Sequence, residues 1–581
     1  MKPESIKSLK EKVLNITKPG EIEKHFDIET PYNRFRSTAQ EFPDNNALLY
    51  FGNSITYKEM LSIVDTMAKG FAETGIKRND VVTVSLLATP YAIMAFYALT
   101  KIGAVLHLVN CSASIAEIER EMSNFTTKYF VANDIFCSAE MKEMLKSFGI
   151  EKIVTTSLLD GMPKNINEFK IKYTMVEKLK GIKKQEFNGV NLLSIQQLLD
   201  IGQKSDLEIV STFEPNEMAT IAYTSGSTGD SKAVVATNEA IDSMVYMIGL
   251  TEETIQPGDV AFTSFPLWIY YSLVNMIHEP LNLGVAIAVD PLFDPKNFTK
   301  INKIYKFNHW QTIPPYIKSI VQQNKKTDCS KWKRILTGGD AMADDVKMSA
   351  DKYIKANGGT ATVEQGYGAT EVLGGFAYCY NENPTIGSVG IPAIGAFVKV
   401  LDVDTKEELK CNETGVAYVH TPTLMKEYYG NPEATAHNLV TDENGVVWYN
   451  TEDLVHYNEK GEIFLDGRIR RIVLTLDKEG NPTKIIPDRV KKELMHNDAV
   501  DKCEVITVPD NVKENVAVAF VVKAAEITKE EVIDYCESNV PEYMVPVDVV
   551  FIDDIPLTPA KKPDLKALES TYMRSKKQRN N

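Results

Sequence analysis

The chain has 581 residues, 44% hydrophobic and 25% charged, an ordinary globular composition long enough for two or more packed cores, which excludes a disordered polypeptide. Its formal net charge of −15 opposes a general nucleic-acid-binding role, because such affinity comes from neutralising Lys and Arg that are not in excess. Seven cysteines, widely scattered and never spaced C-x-x-C, favour reduced thiols in a cytoplasmic enzyme over a disulfide framework or a zinc site.

In chain order, the N-terminal MKPESIKSLKEKVLNITKPG reads as a charged helix. It has neither an apolar h-region nor a small-residue cleavage site, so no secretion signal is expected. Next, DVVTVSLL, YAIMAFYALTKIG and AVLHLVN alternate strand, helix and strand, the pattern of an α/β layer with mainly parallel strands. The most apolar long stretch, Tyr91 to Asn110, is broken by Lys101 and His107 and falls short of a membrane span. Residues 151–215 are lysine-rich and less regular, and are expected to form a surface excursion between two sheet segments.

A strand predicted at Met218–Tyr223 then runs directly into Thr224, Ser225, Gly226, Ser227, Thr228, Gly229, Asp230, Ser231 and Lys232. Glycines let consecutive backbone N–H groups turn inward toward an anion, hydroxyls add donors on either side, and Lys232 supplies a point charge. The spacing is not G-x-x-x-x-G-K-[ST], so a P-loop NTPase is excluded. A Ser/Gly-rich segment standing alone would read as a mobile connection. Here a strand precedes it and the apolar run AVVAT follows it, which favours a phosphate loop.

Farther along, GYGATE (Gly366 to Glu371) combines a flat ring, a close-approach glycine, a hydroxyl and a carboxylate. Tyr367 can stack on a base, Gly366 and Gly368 let the backbone approach a ligand, Thr370 can donate to a phosphate, and Glu371 can hold Mg2+, a hard cation that takes oxygen ligands. Taken alone, the same residues also read as a tyrosine followed by an ordinary helix start. From Tyr418 to Leu465 short strands and turns predominate. After GEIFLDGRIRR the order becomes helix (DRVKKELMHN), strand (KCEVITVPD), strand (AVAFVVK), helix (KEEVIDYCESN) and strand (VDVVFIDDI), a compact α+β unit that sets a domain boundary at about Gly467. The terminal RSKKQRNN is expected to be a frayed, solvated tail.

YTSGSTGDSKAVV resembles the signature loop of the adenylate-forming, or AMP-binding, superfamily, with Ser231 and Ala233 flanking the lysine where Pro and Gly are usual. Other stretches match the superfamily in the expected order from about Thr30 to Leu568. GGDAM (Gly338 to Met342) is similar to the glycine turn beside the adenine and the acyl group, which implicates Gly339 and Asp340. GYGATE matches the adenine and Mg2+ segment. WYNTEDLVHYNEKGEIFLDGR looks like the T-G-D-L and G-R pair, in which Asp453 would accept from both ribose hydroxyls and Arg468 would sit near the ribose and α-phosphate. Glu452 stands where glycine is usual. IPLTPAKKPDLKAL resembles the C-terminal segment that carries the catalytic lysine, assigned to Lys562, with Lys561 in the usual glycine position and an alternative participant. Arg470 takes the hinge position, and RIVLTLDKEGNPTKIIPDRV carries extra residues where the usual strand-loop is short. FPLWIYYSLVN has Ile269 where histidine is often found, and Trp268, Tyr270 and Tyr271 either line an acyl pocket or belong to the core.

The resemblance implies an α/β fold: a large N-terminal domain, residues 1–466, of layered α/β subdomains plus a β-barrel-like subdomain, and a small mobile α+β C-terminal domain, residues 467–581. It further implies an acid-thiol ligase, most similar to bacterial fatty-acyl-CoA synthetases, using ATP, Mg2+ and coenzyme A, with Thr224 and Glu371 at the metal. Two alternatives stay open: loading of a carrier-protein phosphopantetheine, and a non-catalytic nucleotide binder.

Overall fold

The computed structural model describes residues 3–163, 191–224, 231–340, 342–380, 384–471, 473–479, 482–510, 512–557 and 563–579. Two large sheets carry most of the chain. The first has nine strands, running from Ile391–Pro392 through Gly374–Tyr378, Val363–Ala369, Arg334–Thr337, His309–Thr312, Val260–Thr263, Ala286–Val289 and Asn46–Tyr50 to Asn53–Thr56. Its centre is parallel, from Val363–Ala369 to Asn46–Tyr50, and its outer pairs are antiparallel. The second has eight strands, running from Glu427–Tyr428 through Ala233–Thr237, Met218–Tyr223, Val105–Leu108, Val81–Ser85, Tyr129–Asn133 and Lys152–Thr156 to Asn191–Ser194.

The helices between strands are ended by local chemistry. Pro90–Ile102, for example, starts where Thr89 Oγ1 accepts from Ala92 N–H and Pro90 fills the first turn, and it stops at Gly103 in the left-handed region. It is buried from Ala92 to Lys101. That burial explains why its sequence approaches a membrane segment in apolarity, yet among the described residues no helix is long and apolar enough to cross a bilayer.

A third sheet, of five antiparallel strands between Phe397 and Arg468, is the barrel-like part expected from the sequence. Beyond it, Val473–Leu476 pairs with Pro482–Ile485, and Val500–Asp510, Glu514–Lys523 and Asp548–Phe551 form a three-stranded sheet covered by Pro487–Leu494 and Lys529–Asn539. This part has its own core around Val505, Ala519, Val532 and Cys536. The extra residues after Arg471 are thus accommodated in a hairpin.

Two expectations need correction. The excursion at 151–215 is built into the fold, because Lys152–Thr156 and Asn191–Ser194 are sheet strands and Ile195–Lys204 packs on Tyr57–Glu73. Residues 164–190 lie outside the described set. The expected frayed tail continues the helix Leu565–Arg579, which is anchored upstream by buried Leu568 and Tyr572. All seven cysteines are free: six are buried and Cys411 is half-buried. Among the described residues no group of three or more His, Cys, Asp or Glu is placed to hold a metal.

Candidate functional site

The strand Met218–Tyr223 is buried along its middle, and it pairs antiparallel with Ala233–Thr237. The chain between them is closed at its base by a reciprocal clasp: Thr224 N–H donates to Lys232 O at 3.0 Å and Lys232 N–H donates to Thr224 Oγ1 at 3.0 Å. The loop is therefore a hairpin tip with pinned ends. Residues 225–230, which include the expected phosphate-binding Ser225, Gly226, Ser227, Thr228 and Gly229, lie outside the described residues. Ser231 Oγ is buried and has no hydrogen-bond partner.

Lys232 connects this hairpin to the rest of the site. Its Nζ lies 4.5 Å from the centre of the Tyr428 ring and 3.5 Å from Asn438 Oδ1. Tyr428 arrives there because Glu427–Tyr428 is the edge strand paired with Ala233–Thr237. Its hydroxyl donates to Glu371 Oε1 at 2.6 Å, and Met425 N–H donates to Glu371 O at 2.8 Å, so two contacts fix Glu371 relative to the hairpin. Asn438 donates to Asn450 O, two residues before Glu452.

GYGATE forms the end of Val363–Ala369 and a 3-10 turn at Thr370–Val372, which reverses through Leu373 into Gly374–Tyr378. A side chain at Gly368 would put Cβ 1.9 Å from Gly374 O. Glycine is required there by the neighbouring strand, a reason additional to the ligand approach expected from the sequence. Tyr367 is 5% exposed, and its hydroxyl donates to Asp453 Oδ2 at 2.7 Å. Glu371 is buried, while Gly366 and Thr370 are half-buried.

Asp453 and Arg468 are register partners on adjacent strands, and Arg468 Nε stands 3.0 Å from Asp453 Oδ1. Burial raises the Asp453 carboxyl above the usual range, opposed by Arg468 and by the Tyr367 hydroxyl. Buried Tyr449 is pushed well above its ordinary value by desolvation and by Glu371, Tyr428, Asp453 and Tyr367 around it. One phenol thus senses four members of the candidate site, which places them within a single electrostatic neighbourhood.

The turn before Asp453 resolves the unusual Glu452. It adopts φ +59°, the left-handed conformation that glycine takes freely, and its N–H donates to Asn450 Oδ1 at 3.1 Å. The backbone geometry survives the replacement.

On the other side of Arg468, Gly467 has φ +147°, and a Cβ there would approach Asp488 Cβ at 3.2 Å. Arg468 N–H donates to Asp488 Oδ2 at 3.2 Å. Asp488 and Glu504 share Arg471, and Lys491 Nζ stands 2.8 Å from Glu504 Oε2. The two cations hold the buried Glu504 carboxyl below its usual value despite its desolvation. Lys491 is also close enough to Asp340 to have its own charge favoured by it, so the GGD turn, with Gly339 at φ +81°, faces this cluster. Lys561 and Lys562 lie outside the described residues, as does the side chain of Arg470. Tyr270 is core, with its hydroxyl among Thr220 and Val234, whereas the Tyr271 hydroxyl stands against Gly338.

The structure thus unites the hairpin ends, Glu371, Tyr367, Asp453 and Arg468, with the GGD turn facing the same cluster. Tyr428 was not singled out from the sequence. Its signal, a tyrosine in an isolated EYYGN segment, acquires meaning only once that segment pairs beside Lys232.

An AMP-binding enzyme family model matches residues 35–429, and an AMP-binding enzyme C-terminal domain model matches residues 490–562. A 4-coumarate–CoA ligase-like protein from Arabidopsis thaliana is 26% identical over 520 residues, covering 88% of this chain and 85% of that protein. A long-chain-fatty-acid–CoA ligase from Bacillus subtilis is 24% identical over 533 residues, covering 90% of this chain and 91% of that protein. ATP-bound MatB from Rhodopseudomonas palustris shares the fold with a TM-score of 0.77 at 20% identity, covering 93% of this chain and 99% of that one.

Proposed function

The chain belongs to the AMP-binding enzymes, and from that premise we propose that it joins a carboxylic acid to coenzyme A in two steps through an acyl-adenylate. Adenylate-forming CoA ligases use ATP, Mg2+ and coenzyme A. The observation that carries the reading is the convergence of Lys232, Glu371, Asp453 and Arg468 around the pinned hairpin.

Each residue has a role suited to its surroundings. Asp453, buried and oriented by Tyr367 and Arg468, keeps spare lone pairs for the two ribose hydroxyls. Thr224, Lys232 and the hairpin tip receive phosphate oxygens. Tyr367 and the backbone at Gly366 and Gly368 flank the base, Thr370 donates to phosphate, and Gly339 and Asp340 border the acyl group. Glu371 is a buried carboxylate with a hydroxyl donor and, among the described residues, no neutralising ion pair. That fits Mg2+, which is held by one or two protein oxygens together with phosphates and waters, and Glu371 and Thr224 would hold it. When bound, the ion supplies neutralisation of phosphate charge.

The acid carboxylate attacks the α-phosphorus and pyrophosphate leaves; Lys562 stabilises the charge that develops. The thiol of coenzyme A then attacks the activated carbonyl and AMP leaves. We place the boundary between a 1–466 body and a mobile 467–581 domain at Gly467, with rotation about Arg470 exchanging Lys562 for a thiol path. A fatty acid is the acyl class suggested by the sequence resemblance and by the name of the Bacillus subtilis relative, while the Arabidopsis thaliana relative is named for an aromatic acid.

Acid-dependent exchange of pyrophosphate into ATP tests the first step. Its absence with every acid tried would leave a nucleotide binder. Thioester formation with free coenzyme A, measured beside a phosphopantetheinylated carrier protein, tests the second; loading of the carrier alone would reassign the acceptor.

A further inference from the structure

The helix that follows Val260–Thr263 is a π-helix, Tyr271–His278, continued by Glu279–Asn282, and it lies against the nine-stranded sheet. π-turns are rare and concentrate at functional sites. Three of its side chains face the sheet in succession. The Tyr271 hydroxyl lies 3.3 Å from where a Gly338 Cβ would be, at the turn that borders the acyl group. Asn275 is tied to the sheet by Gln311, Gly375 and Tyr378. Glu279 lines a cavity with Gln311 and Arg334.

This seam is polar where an aliphatic chain would need an apolar wall. Tyr271 Oη, Gln311 Oε1, Thr312 Oγ1 and both carboxylate oxygens of Glu279 are buried without a hydrogen-bond partner. Glu279 is 1% exposed. The Gln311 amide, close enough to favour its charged form, donates to Asn275 O at 2.9 Å. Orphaned buried groups are few in native proteins and cost about 1–3 kcal/mol each, so a row of them calls for an occupant. The charge balance says which kind. Glu252, Glu279 and Glu364 face a single cation, Arg334, which stands 3.2 Å from Glu252 and 3.7 Å from Glu364, so acceptors outnumber donors. Burial pushes Glu279 up to about 8 and Glu364 up to about 7, as expected of carboxyls short of donors. The cavity at Glu279 measures about 10 Å³, room for one water-sized group.

Resting on the ligase reading above, we infer that this seam receives the acyl tail and selects an acid carrying a hydrogen-bond donor, hydroxyl or amine, at the end remote from its carboxylate, with Glu279 and Gln311 as the acceptors. Four strand residues separate Arg334 from Gly338, so the donor sits up to about 13 Å beyond the turn. An unsubstituted saturated tail of that length would leave the same polar atoms unpaired.

The test uses the full chain with ATP, Mg2+ and coenzyme A. Octanoate is compared with its ω-hydroxy and ω-amino derivatives, and phenylpropanoate with its para-hydroxy derivative, by AMP release. At least one donor-bearing acid is expected to exceed its parent in kcat/KM by about tenfold or more, because a site built to pair a donor rejects the analogue that lacks it. Glu279→Leu should bring that ratio to parity, and Glu279→Gln, which keeps an acceptor oxygen, should restore part of it. Equal or better use of the unsubstituted parents by the wild-type protein overturns the inference even if the variants fail to fold, and would leave water as the occupant. If no acid releases AMP, the ligase reading falls and this one with it.

Discussion

Glu452→Gly and Glu452→Val together test whether the turn before Asp453 matters for its conformation or for its carboxylate. Glu452 sits at φ +59°, a conformation that costs a non-glycine residue about 1–2 kcal/mol, so glycine relieves that amount in the folded state. Glycine gives back about 0.5–1 kcal/mol through greater freedom of the unfolded chain. The lost contact, His437 Nε2 to Glu452 Oε1 at 3.1 Å, involves an imidazole 61% exposed and contributes at most about 1 kcal/mol. These terms cancel to within about 1 kcal/mol. Valine, β-branched, is a severe outlier in the same region and adds strain of about 1–3 kcal/mol. Relief of that strain by moving the backbone would pull Asp453 from Tyr367 and Arg468. Thermal melting and the KM for ATP in pyrophosphate exchange are the measurements. Glycine should leave KM within about threefold of wild type, and valine should raise it by about tenfold or more, some 1.4 kcal/mol. If glycine impairs ATP use as much as valine does, the carboxylate of Glu452 is what matters and the conformational argument fails.

Tyr428→Phe removes the 2.6 Å hydrogen bond to a buried carboxylate, worth about 1.5–3 kcal/mol, and should raise the Mg2+ concentration that half-saturates pyrophosphate exchange; an unchanged Mg2+ titration would separate Tyr428 from the metal role of Glu371. Gly368→Ala cannot be accommodated without parting the strands, since its Cβ would meet Gly374 O at 1.9 Å, and should yield protein with a lowered melting temperature and little ATP-dependent exchange. Lys562→Ala should abolish most adenylation yet spare thioester formation from supplied acyl-adenylate; equal loss in both steps would point to a structural role. Glu504 has a folded pKa below its unfolded value of about 4.3, so its contribution is complete above that pH and is lost as pH falls through the folded value. Proteolysis near residues 471–488 should therefore accelerate below about pH 4 in the wild type, and Glu504→Gln should be susceptible already at neutral pH.

Local patterns foretold much of this architecture. The strand Met218–Tyr223 and the helix–strand order after Gly467 follow from hydrophobic period and length, which act within a few residues of sequence. Glu371, Asp453 and Arg468 were legible because their motifs carry unusual combinations of residue types. What stayed hidden depends on contacts between distant segments. Tyr428 is 57 positions from Glu371 and meets it only through an edge-strand pairing. The Glu252, Glu279, Glu364 and Arg334 group comes from four separate elements, and each residue alone reads as surface charge. The π-helix has no sequence signature apart from an amphipathic helix, because the pattern does not reveal which carbonyl each N–H will choose.

The distribution of thiols makes the protein its own gauge of opening. Burial holds Cys111, Cys137, Cys329, Cys503 and Cys536 up to about 12 and Cys379 up to about 11, so these sulfurs stay protonated and shielded in the native chain. Cys411 alone is partly accessible, on the rim of the five-stranded sheet. A maleimide should accordingly attach once per native molecule, and the next sulfurs to react would announce which core has come apart: Cys503 and Cys536 if the C-terminal part loosens first, the other four if the large sheets do.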